Sequence, residues 1–281
     1  MKTKAGMAGV AMMTLALAGC WSSWDAGARN HMGSGQHMGG GQRMGGQAVS
    51  VDPIARGGRG YDKWWAEYGL AEPKQTHPSY PAIGKAKGSG TWRCKECHGW
   101  DYLGRDGAYK AGSHATGIIG IRAAAGKTAG EIEKTLTDQT HRYGELLPAE
   151  ALGQIARFVS EGQIDMSTSI GADRAAMGNA HNGRQTFEAQ CSACHGNDGR
   201  EIDFNAGGDK PEFVGTLARD NPWEALHKLR NGQPGESGPG QSSAAAARRH
   251  HHHWVMPPMR ERLTVQQQAD LLAHLQSLPA K

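Results

Sequence analysis

The chain has 281 residues, 41 of them glycine, and a formal net charge of +4. That length suits one large or two small domains. The thin positive balance excludes the dense Lys/Arg footprint of a nucleic-acid-binding protein, and it does not by itself select a partner.

Lys2 and Lys4 precede an apolar stretch from Met7 to Ala18. This is the layout of an export signal, too short to span a bilayer as a mature helix. The ending Leu17-Ala18-Gly19-Cys20 resembles a bacterial lipoprotein signal. The resemblance implies cleavage of residues 1–20 so that Cys20 is lipidated. It places the protein in the bacterial cell envelope, on the periplasmic side, with acyl chains supplying the membrane affinity. Position 21 is Trp rather than the Asp that often marks inner-membrane retention, which favours the outer membrane.

Residues 21–60 are expected to form a flexible tether. From Ala26 to Gly60 the chain is dominated by Gly, Gln, Met, Ser and His, with a His/Arg-Met-Gly pattern around Met32, Met38 and Met44. So little apolar side chain cannot offset the entropy of ordering. Thioether and imidazole are also copper ligands, so a copper-binding tail is a subordinate alternative.

Apart from Cys20, the cysteines fall into two pairs: Cys94-Lys95-Glu96-Cys97-His98 and Cys191-Ser192-Ala193-Cys194-His195. Each reads Cys-x-x-Cys-His, the signature of c-type haem attachment. Two thiols at this spacing reach the two vinyl groups of one haem, and the adjoining His lies under the iron. A redox Cys-x-x-Cys would need a βαβ setting, which is not found. A Cys₄ zinc site would join two distant pairs and leave both histidines unexplained. A pair of disulfides is the remaining alternative in an exported chain.

The second motif is preceded by Gly183 and Phe187 at helical spacing and followed by Gly196. This pattern resembles the N-terminal helix of a class I cytochrome c domain, and the whole chain resembles a dihaem class I-like cytochrome c of bacterial lipoprotein type. The resemblance implies a mainly α fold with two small cytochrome c-like haem domains in tandem, at 61–167 and 178–281. It implies two covalently attached haem c groups, bound through Cys94, Cys97, Cys191 and Cys194, with His98 and His195 as proximal iron ligands. In the family, a Met from the loop before the last helix takes the other face of the iron.

Within the first domain, Tyr61 to Tyr68 reads as a short helix with an aromatic face. Tyr80, Trp92, Trp100 and Tyr102 extend the aromatic cluster, which suits core packing. A helix is expected from Pro148 to Val159, with Leu152, Ile155, Ala156 and Val159 as its apolar stripe. Aligning Leu147 with Leu263 places His141 near the position of Met256, so His141 is the expected distal ligand. His114 is the rival. Two imidazoles would hold this iron at a lower potential than a His/Met pair.

In the second domain, Asn221-Pro222 opens and Gly232 closes a helix, with Glu224 completing a capping box. Its Trp223 and Arg230 read as a core Trp and a solvated Arg, and His227 as a packing residue. The run His250 to His253 reads as an exposed insertion. Met256, in Trp254-Val255-Met256-Pro257-Pro258-Met259, is the expected distal ligand, ahead of Met259. A final helix is expected from Thr264 to Leu278, with Thr264 and Gln267 as a capping box.

The leading function is electron transfer by a membrane-tethered dihaem cytochrome, as a shuttle or as a subunit of an oxidoreductase, with no catalytic residue of its own. Its partners would be a redox protein donor and acceptor, met transiently or within a complex. The alternative is a dihaem redox enzyme with one exchangeable iron ligand, peroxidase-like or oxidising sulfur compounds.

Overall fold

A computed structural model describes residues 52–234 and 256–280. Cys20, the chain up to residue 51 and the run His250 to His253 lie outside the described residues. The described residues are mainly helical. They contain no strand, only isolated bridges between Gly104 and Ile119 and between Ile170 and Ala176. None of their helices is long and apolar enough to cross a membrane.

The first half holds α1 (Pro53–Tyr68), α2 (Cys94–His98), α3 (Ala129–Leu136) and α4 (Ala149–Arg157). The second holds α5 (Ala180–Gln190), α6 (Ser192–His195), α7 (Val214–Asp220), α8 (Pro222–Asn231) and α9 (Val265–Ser277). The two expected last helices are therefore α4 and α9. A π-helical turn, Phe158–Gly162, extends α4. The Thr264 side chain caps α9 by accepting from the Gln267 amide, and Gln267 accepts in return from the Thr264 amide, as the sequence pattern predicts.

The tether boundary at residue 60 needs correction, because α1 begins at Pro53. Asp52 caps it by accepting from the Ile54 amide at 2.9 Å, and Pro53 occupies the first turn. The glycines here are not slack chain. A Cβ on Gly57 would fall on the Gln154 carbonyl of α4, and one on Gly58 would fall on the Asn231 side chain of α8. They are small because two helices approach the backbone of α1 closely. The helix kinks at Lys63 and ends at Gly69, whose φ is +65°. In the second half, α5 crosses α9 in the same manner: a Cβ on Gly183 would fall on the Asp270 carbonyl, and Phe187 is buried beside it.

The halves are joined by more than the segment between them. One hydrophobic core runs through Tyr61, Ile155 and Phe158 of the first half and Leu226, Leu229 and Leu271 of the second. Polar groups are buried where α1 meets α8. Asp62 receives Arg93 on one oxygen and Lys228 Nζ at 3.3 Å on the other. Burial opposes its ionisation, yet Lys228 and Arg93 hold its carboxyl well below the usual carboxylate range. Arg59 donates to the Asn231 carbonyl at 2.9 Å and pairs with Glu67 at 2.7 Å. The aromatic cluster is the core of the first half, with Tyr61, Trp64, Trp65, Trp92, Trp100 and Tyr102 all buried.

His227 lies fully buried in this junction. Its Nε2 is 2.9 Å from the Gly58 carbonyl and its Nδ1 is 2.9 Å from the Tyr102 hydroxyl. A carbonyl only accepts, so Nε2 carries the proton and Nδ1 accepts from Tyr102. Burial lowers the pKa of His227 from 6.5 to about 4, against the opposing pull of Asp62.

Two kinds of outcome follow from this packing, the first for substitutions at glycine. Gly57→Ala is expected to lose about 1–3 kcal/mol of stability through overpacking, measured by denaturant unfolding. Gly130→Ala, on open space in α3, is expected to gain about 0.4–1 kcal/mol. The second outcome concerns pH. With a folded pKa of about 4 against 6.5, His227 binds fewer protons folded than unfolded between those values. Its contribution is full above pH 6.5 and is lost as pH falls towards 4, on the order of 3 kcal/mol in all. His227→Gln keeps a donor and an acceptor without titrating. Its unfolding free energy should fall less over that window than that of the wild type.

Candidate functional site

Both Cys-x-x-Cys-His motifs adopt the same local form. The first is α2 itself, closed by Gly99 at φ +79°, ψ 159°. The second spans Cys191 and α6, closed by Gly196 at φ +75°, ψ 162°. Each glycine occupies a left-handed region that a side chain would strain. The hydrogen bonds match as well. Gly99 N donates to Lys95 O at 2.9 Å and Gly196 N to Ser192 O at 2.8 Å. Gly104 N donates to His98 O at 2.9 Å and Glu201 N to His195 O at 3.0 Å. All four thiols are unbridged, so neither pair forms a disulfide.

In the first site, His98 Nδ1 lies 2.7 Å from the Ile119 carbonyl. Nδ1 must therefore donate, which leaves the Nε2 lone pair free for a metal. Burial pushes the ring's pKa down, against the raising effect of that hydrogen bond, and favours the neutral form that ligates.

Of the two rival histidines, the structure brings His141 to His98 and not His114. The rings of His98 and His141 have centres 6.2 Å apart and planes inclined by 20°. An imidazole nitrogen binds a first-row metal at ~2.0–2.1 Å and the ring centre lies ~1.1 Å beyond, so two axial imidazoles hold their centres about 6.3 Å apart. The spacing fits a haem iron between them. His141 Nδ1 is tied to Asp138 Oδ1 at 3.2 Å, which again leaves Nε2 for the metal. His114 stacks on Tyr109, with ring centres 4.8 Å apart, and its Nδ1 lies 3.0 Å from the buried Glu96 carboxylate.

Sequence reasoning missed the group that holds the His141 loop. His77 Nε2 donates to the His141 carbonyl at 3.0 Å, and Ser79 Oγ donates to the neighbouring Thr140 carbonyl at 2.8 Å. His77 accepts at Nδ1 from Ser79 N and packs on Trp92, with ring centres 4.2 Å apart. The loop then leaves His141 through Arg142 in a left-handed conformation, φ +59°. A lone His before a proline carries no periodic signal, and its partner is 64 residues away.

In the second site, His195 Nδ1 is buried without a hydrogen-bond partner among the described residues, and burial pushes its pKa down. The two methionines separate by environment. Met259 is buried in the core and its amide donates to the Leu229 carbonyl at 3.0 Å. Met256 is only half-buried, and its carbonyl accepts from Gln233 N at 3.4 Å. Core packing thus claims Met259 and leaves Met256 as the candidate ligand. Arg230, expected in solvent, is instead buried and donates to Gln268 Oε1 at 2.8 Å. Trp223 is half-buried under Arg174, whose guanidinium lies 5.9 Å from the ring centre.

His77→Phe keeps a ring against Trp92 and removes the bond to the His141 carbonyl. Loss of one hydrogen bond of about 1 kcal/mol should speed amide exchange across residues 138–142 by about fivefold, read by hydrogen–deuterium exchange.

Residues 180–279 match the family model for cytochrome c. No curated protein and no solved structure matches the chain. The matched stretch contains α5, the second Cys-x-x-Cys-His motif, Met256 and α9. Residues 180–279 therefore form a cytochrome c domain, which supports an electron-transfer haem protein with covalently bound haem c.

Proposed function

We propose that the protein is a dihaem cytochrome c, exported, lipid-anchored through Cys20 and working as an electron carrier on the periplasmic side of the envelope. The observation that carries it is the pairing of His98 with His141 at the spacing of two axial imidazoles. It supports an iron site of its own for the first Cys-x-x-Cys-His motif, which lies outside the matched cytochrome c stretch. Cys94 and Cys97 attach the first haem, and Cys191 and Cys194 the second. His98 and His141 would ligate one iron, His195 and Met256 the other.

Bound haem supplies a one-electron iron couple. The chain's own residues fix its setting. Ile119 and Asp138 hold the tautomers of His98 and His141 through Nδ1. His77 and Ser79 hold the distal loop by its backbone. Two nitrogen ligands lower the first potential relative to a His/thioether pair, so electrons would enter at the first haem and rest on the second. With both irons fully ligated, the protein's work is position, potential and docking to a redox donor and acceptor. The lipid anchor would raise the frequency of those encounters.

Two measurements test this. A Cys20→Ser chain, which takes no lipid, should once matured exceed its polypeptide mass by two haems, and Cys94→Ala/Cys97→Ala in that background should lose one. His141→Ala should open the first iron, so that added cyanide or imidazole changes the oxidised spectrum, whereas His114→Ala should respond as the wild type does. An iron that binds cyanide readily in the wild type would instead favour the redox enzyme with an exchangeable ligand.

A further inference from the structure

Tyr102 and His227 form a contact that neither haem attachment nor axial ligation uses. Tyr102 lies four residues after His98, fully buried, with φ +66°. A bulky residue in the left-handed region persists only where its surroundings over-determine it. Here the determinant reaches across the molecule. The Tyr102 hydroxyl donates to His227 Nδ1, and His227 Nε2 donates to the Gly58 carbonyl, each at 2.9 Å.

From Tyr102 on one side and from the main chain of His227 on the other, the contact leads to a candidate iron ligand. On the first side, Tyr61 donates to the Gly99 carbonyl, next to His98, at 2.7 Å, and Trp100 packs on His227 with ring centres 5.0 Å apart. On the second side, the His227 carbonyl accepts from Asn231 Nδ2 at 3.0 Å. The end of α8 then meets the Met256 segment, with Gln233 N donating to the Met256 carbonyl at 3.4 Å and Met259 N to the Leu229 carbonyl at 3.0 Å. Covalent and hydrogen bonds thus run without a break from His98 to Met256.

We propose that Tyr102 and His227 are positioning residues for direct passage of an electron between the two haems of one chain. This rests on the dihaem function proposed above. With haem bound at both motifs, one electron would be lost at the first site and gained at the second, and Tyr102 and His227 would hold the contact between them. No bond forms or breaks, and no proton moves. Tyr102 keeps its proton, since burial pushes its phenol far above the ordinary value. Electronic coupling falls off more steeply across a van der Waals gap than through bonds, so a continuous bonded contact favours this junction.

The test uses the full chain loaded with haem. A flash of photoexcited flavin reduces a small fraction of the haem, and the spectra of the two haems report how the electron redistributes. The wild type should show a first-order phase whose rate does not depend on protein concentration. Tyr102→Phe removes one oxygen atom and should slow that phase severalfold, because the transfer rate follows the square of the electronic coupling and a gap replaces the bonded contact to His227. Both midpoint potentials should stay unchanged, which a general loosening of either haem pocket would not allow. Tyr109→Phe is the control, because the buried Tyr109 hydroxyl makes no hydrogen bond among the described residues. It should leave the rate unchanged. An unslowed Tyr102→Phe, equal slowing in Tyr109→Phe, or a wild-type phase that scales with protein concentration would overturn the proposal while leaving two haems per chain in place. A mass showing one haem per chain would overturn both this proposal and the function beneath it.

Discussion

The first site depends on two imidazole rings being held apart. Two half-buried imidazole rings gain nothing from a 6.2 Å separation, so the surrounding chain must enforce it. One wall is the motif helix α2, closed by Gly99 and braced by the Ile119 carbonyl on His98. The other wall is the loop at His141, pinned from behind by His77, Ser79 and Asp138. Trp92 ties the walls together: it packs on His77, and its carbonyl accepts from Tyr143 at 2.9 Å and from Trp64 at 3.0 Å. Each ring thus has its Nδ1 engaged and its Nε2 free. That is how second-layer groups orient metal ligands generally.

The junction between the halves follows a different logic. A purely apolar interface would tolerate sliding, whereas Asp62 with Arg93 and Lys228 permits one register. Removing Asp62 would take the carboxylate from both cations at once, whereas removing Lys228 would leave Asp62 paired with Arg93. The neutral Tyr102–His227–Gly58 relay adds direction, because the Gly58 carbonyl fixes which nitrogen of His227 bears the proton. The motif-bearing halves are therefore held in one arrangement, a condition for any fixed route between two redox centres.

Much of this was legible in the sequence wherever the signal was local. The two motifs, the capping box of α9 and the Asn221-Pro222 opening of α8 each lie within a few residues, and all appear where the pattern puts them. His141 was reachable by aligning the two halves on Leu147 and Leu263. The start of α1 was not legible, because glycine chosen for close helix approach at Gly57 and Gly58 has the same composition as glycine in a linker. The junction was hidden for another reason: Asp62 and Lys228 are 166 residues apart, and nothing near Arg230 announces that Gln268 will meet it in the core. His77 was overlooked because it acts on a backbone carbonyl, which leaves no pattern in the partner's side chains.

Low-temperature EPR combined with near-infrared magnetic circular dichroism on the oxidised, haem-loaded protein tests the central claim most directly. Two low-spin centres are predicted, one with the signature of bis-imidazole ligation and one with that of imidazole/thioether ligation. A high-spin centre, or two centres both carrying thioether ligation, would contradict the assignment of His98 and His141 to one iron.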